Sequence, residues 1–215
     1  MTTLARRHLL ASLAAAAALA ALPARAAGVR PATLSAQDAA TLAQVQQYLD
    51  GIHTLRSRFQ QFAQDGGVAA GTIYLQRPGK MRIVYDPPTP ILIVSDGTAV
   101  YYWDSKLEQL SQIGVEDTPA WFLLRPEIKL NGDVTVTGFR RDPGVLRLAM
   151  TETKSPDQGS LTLVMSERPL ELKQWTVIDP QQRQVTVTLE SPEYGVPLDP
   201  TLFFWTRQTS GPSSH

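Results

Sequence analysis

The chain has no cysteine among its 215 residues. Disulfides, thiolate metal sites and cysteine nucleophiles are therefore excluded. So is lipid attachment to the chain itself, which in bacteria needs a cysteine just after the leader. Histidine is scarce, with His8, His53 and His215 the only three. A serine–histidine–acid set can be assembled only around His53, and nothing near it suggests a site. No phosphate-binding glycine loop and no metal-ligand spacing occurs. Asp96, Asp104, Glu108 and Asp117 fall in turn-like stretches, where aspartate is a turn former far more often than a base. The expectation is a protein that is not an enzyme and uses no cofactor and no metal.

Long apolar runs are missing too, except at the start. "ARRHLLASLAAAAALAALPARA" has a basic beginning (Arg6, Arg7), an apolar middle from Leu9 to Leu22, and an A-x-A ending at Ala24-Arg25-Ala26. The apolar middle is shorter than the roughly 20 residues a membrane-spanning helix needs. The pattern predicts a signal peptide over residues 1–26, cleaved after Ala26. Arg6-Arg7 fits a twin-arginine leader and a plain secretory leader alike. Cleavage would remove Arg6, Arg7 and Arg25 and no acid, taking 20 basic residues to 17 against 20 acidic ones, a net charge of −3. A nucleic-acid binder usually carries a basic face, so no nucleic-acid partner is expected. An exported chain without disulfides must draw its stability from its own core.

What remains is strand-rich. "SAQDAATLAQVQQYLDGI" reads as one helix, capped by Ser35 with Asp38 three residues on, with an apolar stripe of Ala39, Leu42, Val45, Leu49 and Ile52 and an end at Gly51. From "TLRSRFQQFAQ" onward, alternating runs are separated by Pro78-Gly79, Asp96-Gly97, Pro-Gly, Pro-Asp-Gln-Gly, Arg-Pro and Asp-Pro-Gln-Gln breaks. About eleven short strands of this kind predict a mainly β (α+β) chain whose antiparallel sheet curls into an unclosed barrel. "LFFWTRQ" is a candidate for a last strand. One short helix, "EDTPAWFLLRPEI", interrupts the meander; it is apolar on most sides, so it must be covered on both or cover something greasy. Residues 27–207 are expected to form one domain, and 208–215 a disordered tail.

Several strands break the apolar-in, polar-out alternation. "ILIV" and "AVYYW" are apolar on both faces, and the sequence offers only two helices as cover. A half-filled barrel with a hydrophobic hollow under a helical lid is one reading; a normally packed core is the other. Alternation gives Ile73, Leu75, Met81, Ile83, Leu92 and Trp103 as the expected wall, with Trp121, Phe122 and Leu123 from the short helix. Arg77 falls in line with Ile73 and Leu75, on the face that should be buried. Its guanidinium either donates to backbone carbonyls, latching the "TPAWFLL" lid, or points to water past the strand end beside Lys80 and Arg82. The residues alone favour the second.

Phe59-Gln60-Gln61, "RPGKMR", a proline-rich break, "LIVSDGTAVYYWD", "LEQ" and "DTPAWFLL" follow one another in the order found in the LolA family, periplasmic carriers of outer-membrane lipoproteins. The resemblance runs over roughly residues 38–205. It implies an unclosed antiparallel β-barrel capped by helices, which holds acyl chains in its hollow without a cofactor. It implies that Arg77, the arginine before the proline, ties lid to barrel. It further implies a periplasmic monomer, loaded with acylated lipoproteins by an inner-membrane ABC-type releasing complex and unloaded to an outer-membrane acceptor. The sequence departs from the family in its ending, "LFFWTRQTSG", and in the short segment after "LEQ". A half-barrel sensor of lipids or lipoproteins, acting on a membrane-bound regulator, is the alternative; such sensors are expected to carry a further domain after the barrel, so the carrier is the first expectation.

Overall fold

Apolar–polar alternation, broken by the turn signals above, produces eleven strands: β1 (Thr54–Ala63), β2 (Val68–Gln76), β3 (Lys80–Tyr85), β4 (Ile91–Asp96), β5 (Ala99–Asp104), β6 (Gln109–Gly114), β7 (Val134–Asp142), β8 (Val145–Glu152), β9 (Ser160–Glu167), β10 (Leu170–Ile178) and β11 (Gln184–Tyr194). The computed structural model describes residues 28–118 and 121–206. The expected leader (1–26) and the expected tail (208–215) lie outside the described residues.

The strands form one antiparallel sheet in the order β6-β5-β4-β3-β2-β1-β11-β10-β9-β8-β7. Pairing of β1 with β11 joins two meanders, and β6 and β7 remain as edges, so the barrel is not closed. Cross-strand pairs fix which side chains share a face. Leu75 lies opposite Met81 and Leu55, Ile73 opposite Ile83, and Trp175 opposite Leu163 and Val187. All of these belong to the main core cluster on the concave side. The β2–β3 turn needs its glycine: Gly79 has φ +77°, and a Cβ there would meet the Gly97 Cα at 2.6 Å. Two hairpin turns are thereby packed against each other at one end of the barrel.

The first helix, α1 (Ala36–Asp50), starts at Ser35, whose side chain accepts from the Asp38 N–H. Its expected stripe is only partly covered. Val45 and Leu49 are fully buried and Ile52 follows them into the core, but Ala39 is exposed and Leu42 half-buried. The second helix, α2 (Trp121–Leu124), has four residues.

The C-terminal stretch departs from expectation. "LFFWTRQ" does not add a strand among the described residues. Pro200–Phe203 form a 3₁₀ turn, opened by the Asp199 side chain accepting from the Thr201 N–H at 2.9 Å. This strap lies against β3 and β4, buries Phe203, and takes a hydrogen bond from Arg82 to the Leu202 carbonyl at 3.1 Å. Pro197 and Pro200 cannot donate to a ladder, which disfavours a strand here. The strap also covers the apolar residues that β4 and β5 turn outward.

Candidate functional site

The concave face gathers apolar side chains from both meanders. Ile73 and Leu75 (β2), Met81 and Ile83 (β3), and Leu161, Trp175, Val177 and Val187 from the opposite meander surround a cavity of about 110 Å³. Leu123 and Leu124 of α2 close it. The wall's polar groups are few and paired: the Tyr85 hydroxyl donates to Gln61 Oε1 at 2.7 Å. Burial pushes the Tyr85 phenol up to about 12, so it stays neutral. The wall carries no charged side chain, and its surface suits apolar matter. A cavity of about 150 Å³ holds one benzene. A hydrocarbon tail thus fits here only if Leu123 and Leu124 move out.

Beyond α2 lies an open cleft of about 770 Å³, lined by Trp121, Phe122 and the β6 residue Ile113 on one side and by Val134 and Met150 on the other. Leu161 and Val177 line both spaces. α2 is thus a partition: remove it, and cavity and cleft become one volume.

Of the expected wall residues, Ile73, Leu75, Met81, Ile83 and Leu123 lie at the cavity, and Trp121 and Phe122 at the cleft. Leu92 and Trp103 do not. They lie opposite each other on the convex face, clustered with Val94 and Trp205. Their strands are apolar on both sides, so alternation alone gives no facing, and a one-residue error flips the whole strand. The inward residues of β4 and β5 are Ile93 and Val100, in register with Ile83 and Ser95. Sequence reasoning also missed Phe59, Tyr85, Leu161, Trp175, Val177 and Val187. Their signal was available by carrying the inward parity of Ile73 across each turn.

Arg77 is 8% exposed, not directed to water. Its Nε donates to the Arg125 carbonyl at 2.7 Å. Nη1 donates to the carbonyls of Leu49, Asp50 and Ile52 at 2.9–3.0 Å. Nη2 donates to Asp50 Oδ1 and the Pro126 carbonyl, both at 3.1 Å. The carbonyls at the end of α1, the negative end of its dipole, supply what a buried cation needs. The expected acceptors were in "TPAWFLL"; the actual ones are four at the end of α1 and two, the Arg125 and Pro126 carbonyls, just after that segment. The direct tie to α2 comes from the Gly79 N–H, which donates to the Leu124 carbonyl at 2.8 Å. Asp50 completes the junction by accepting from the Ile128 N–H at 3.0 Å. That bond first, and Arg77 second, hold its carboxyl below the usual carboxylate range.

A curled, unclosed sheet with a charge-free hollow under a four-residue helix, and a buried arginine bonded just after that helix, defines a half-barrel protein with an apolar pocket. The chain belongs to the LolA family, described as "Outer membrane lipoprotein carrier protein LolA", whose sequence profile matches residues 50–206. It is 30% identical over 165 residues to an outer-membrane lipoprotein carrier protein of Methylococcus capsulatus, covering 73% of this chain and 78% of that relative. A carrier of the same name from Pseudomonas syringae pv. tomato is 36% identical over 112 residues, about half of each chain (50% and 51%). Among solved structures, a DUF1329 family protein from Desulfovibrio piger superposes with a TM-score of 0.50 at 13% identity, over 83% of this chain and 100% of that one. That likeness speaks to fold alone. Carriers of this family are periplasmic, and no helix among the described residues is long and apolar enough to cross a membrane.

Proposed function

We propose that the hollow holds the acyl chains of lipoproteins released from the inner membrane, and that the chain delivers them toward the outer membrane. The observation that carries this reading is the uncharged cavity behind a flap held by few bonds. Each methylene buried contributes roughly 0.8 kcal/mol, so a long chain in an open hollow would bind too tightly for release. Closure of the flap opposes that binding. To admit a tail, the bonds from Gly79 to Leu124 and from Arg77 to Arg125 and Pro126 must break. Net affinity is reduced by their cost, which lets a cargo leave downhill. Loading then needs an external energy source, which an inner-membrane ABC-type complex provides by hydrolysing ATP, and unloading needs an outer-membrane acceptor.

In this reading the protein works as a monomer, exported by a leader cleaved after Ala26. Native mass spectrometry of the protein taken from the periplasm tests it. Acylated polypeptides that travel with the protein are the expected result. Free small lipids, or no ligand at all, would count against it.

A further inference from the structure

The two edges of the sheet are treated differently. β7 carries Arg140, Arg141 and Asp142, breaks its register between Val136 and Gly138, and gives its Val136 carbonyl to the Ala32 N–H at 2.8 Å. Charges, a bulge and a covering segment are the usual devices that keep an edge from pairing with another chain. β6 has none of them. Gln109–Gly114 contains no charge and no proline, pairs on one side only among the described residues, and leaves Leu110 and Ile113 about half exposed.

The groups that β6 offers can be identified. The Val115 N–H donates to the Thr98 carbonyl, and the Ser105 N–H to the Pro90 carbonyl. Antiparallel ladders alternate every residue between bonded and non-bonded pairs. Counting from these two bonds, Gln109, Ser111 and Ile113 bond to β5, whereas Leu110 and Gln112 turn their N–H and C=O groups to the free edge; the Gly114 carbonyl caps the 3₁₀ turn Val115–Asp117. Ile113 also lines the open cleft beside Trp121 and Phe122.

We infer that the free edge of β6 pairs with the cargo's own polypeptide, the extended uncharged segment that follows its acylated residue. The inference rests on the carrier reading above. A tail in the hollow is covalently tied to a polypeptide, and that polypeptide leaves through the cleft that Ile113 lines. Backbone pairing reads no side-chain sequence, so one edge serves many cargoes. Six strand residues match about 20 Å of extended chain. A second copy of this chain is the competing occupant; it would leave the exit from the cleft that Ile113 lines without a role, and the test below distinguishes the two.

The test uses two synthetic probes, a dipalmitoylglyceryl-cysteine amide and the same group followed by a ten-residue Ser/Asn linker. The linker should tighten binding to the wild type about tenfold, the effect of a few new backbone bonds. Gln112→Pro removes an edge N–H that the sheet does not use, and should erase the linker's gain while leaving the linker-free probe unchanged. N-methylation of alternate linker amides should do the same on the unaltered protein, which keeps the test valid if the proline variant folds poorly. Binding of the linker-free probe with no gain from the linker overturns edge pairing and leaves the carrier reading standing. A linker gain that survives both changes also overturns edge pairing. Failure of both probes to bind the wild type overturns the carrier reading, and this inference with it. A dimer seen in sedimentation and lost in Gln112→Pro, with no linker gain, assigns the edge to a second copy instead.

Discussion

α1 and α2 bury side chains in the same core, yet they are held in opposite ways. α1 has fifteen residues, a capped start, and Val45 and Leu49 at 0% exposure. The Tyr48 hydroxyl accepts from the Leu172 N–H, Gln46 accepts from the Leu130 N–H, and Arg141 reaches from β7 to Asp38 and Thr41. α2 has four residues; among the described residues its backbone bonds run from the Trp121 N–H to the Thr118 carbonyl, from the Arg125 N–H to the Trp121 carbonyl, and from the Gly79 N–H to the Leu124 carbonyl. Arg77 stands between them and divides its bonds unequally, with four acceptors at the end of α1 and two just after α2. In the opening proposed above, the arginine would keep the four acceptors at the end of α1. The buried cation would then not be stranded by the motion, and α1 would be the fixed post against which α2 moves.

The largest effect is expected where both helices meet. Arg77→Leu leaves the carbonyls of Leu49, Ile52, Arg125 and Pro126 without this donor and should lower unfolding free energy by about 3 kcal/mol in urea titration. It should also free the flap, so that a fluorescent fatty acid binds more tightly and leaves more slowly than from the wild type. Slower release without tighter binding would mean that the arginine does not oppose opening.

Next come paired truncations that separate post from flap. Leu49→Ala should cost about 3 kcal/mol of global stability, as emptied core sites do. Leu124→Ala removes an equally buried side chain, but its cost should be the smaller of the two, because it is capped by the free energy of opening the flap, which can swing out instead. Its signature should be faster hydrogen exchange at the Arg125 amide. Equal losses in the two variants would mean that α2 is as firmly built in as α1.

Acid supplies a smaller, reversible perturbation. The Asp50 carboxyl has a folded pKa below its unfolded value. Its stabilisation is therefore present above about pH 4 and is lost as pH falls through the folded pKa. The protection factor of the Ile128 amide, taken against its intrinsic exchange rate at each pH, should fall as the pH drops below 4, and Asp50→Asn should flatten that fall. The smallest effect is expected from Gln46→Ala, which frees the Leu130 N–H and should cost about 1 kcal/mol.

Much of this architecture was legible in the chain. The eleven strand segments, Ser35 as a cap, and the inward run Ile73–Leu75–Arg77 all follow from alternation and turn residues. Legibility ended where a strand is apolar on both sides. Leu92 and Trp103 looked like cavity wall because nothing local says that a distant 3₁₀ turn, carrying Phe203 and Trp205, covers the convex face. That cover comes from residues about a hundred positions further along the chain. The partners of Arg77 were hidden for a related reason: all but the Asp50 carboxylate are backbone carbonyls at helix ends, and no residue type announces them. Arg77 itself could be singled out, since a permanent cation on an apolar face demands acceptors.

The most direct test of the account is an NMR measurement on the intact protein with labelled Ile, Leu and Val methyls and a carbon-13-labelled palmitoyl probe. Cross-relaxation between chain methylenes and the methyls of Ile73, Leu161 and Val187, with the Leu123 and Leu124 methyls displaced from those same neighbours, is the predicted result. Palmitoyl signals that touch only residues of the convex face or the outer cleft, with Leu123 and Leu124 still seated, would contradict it.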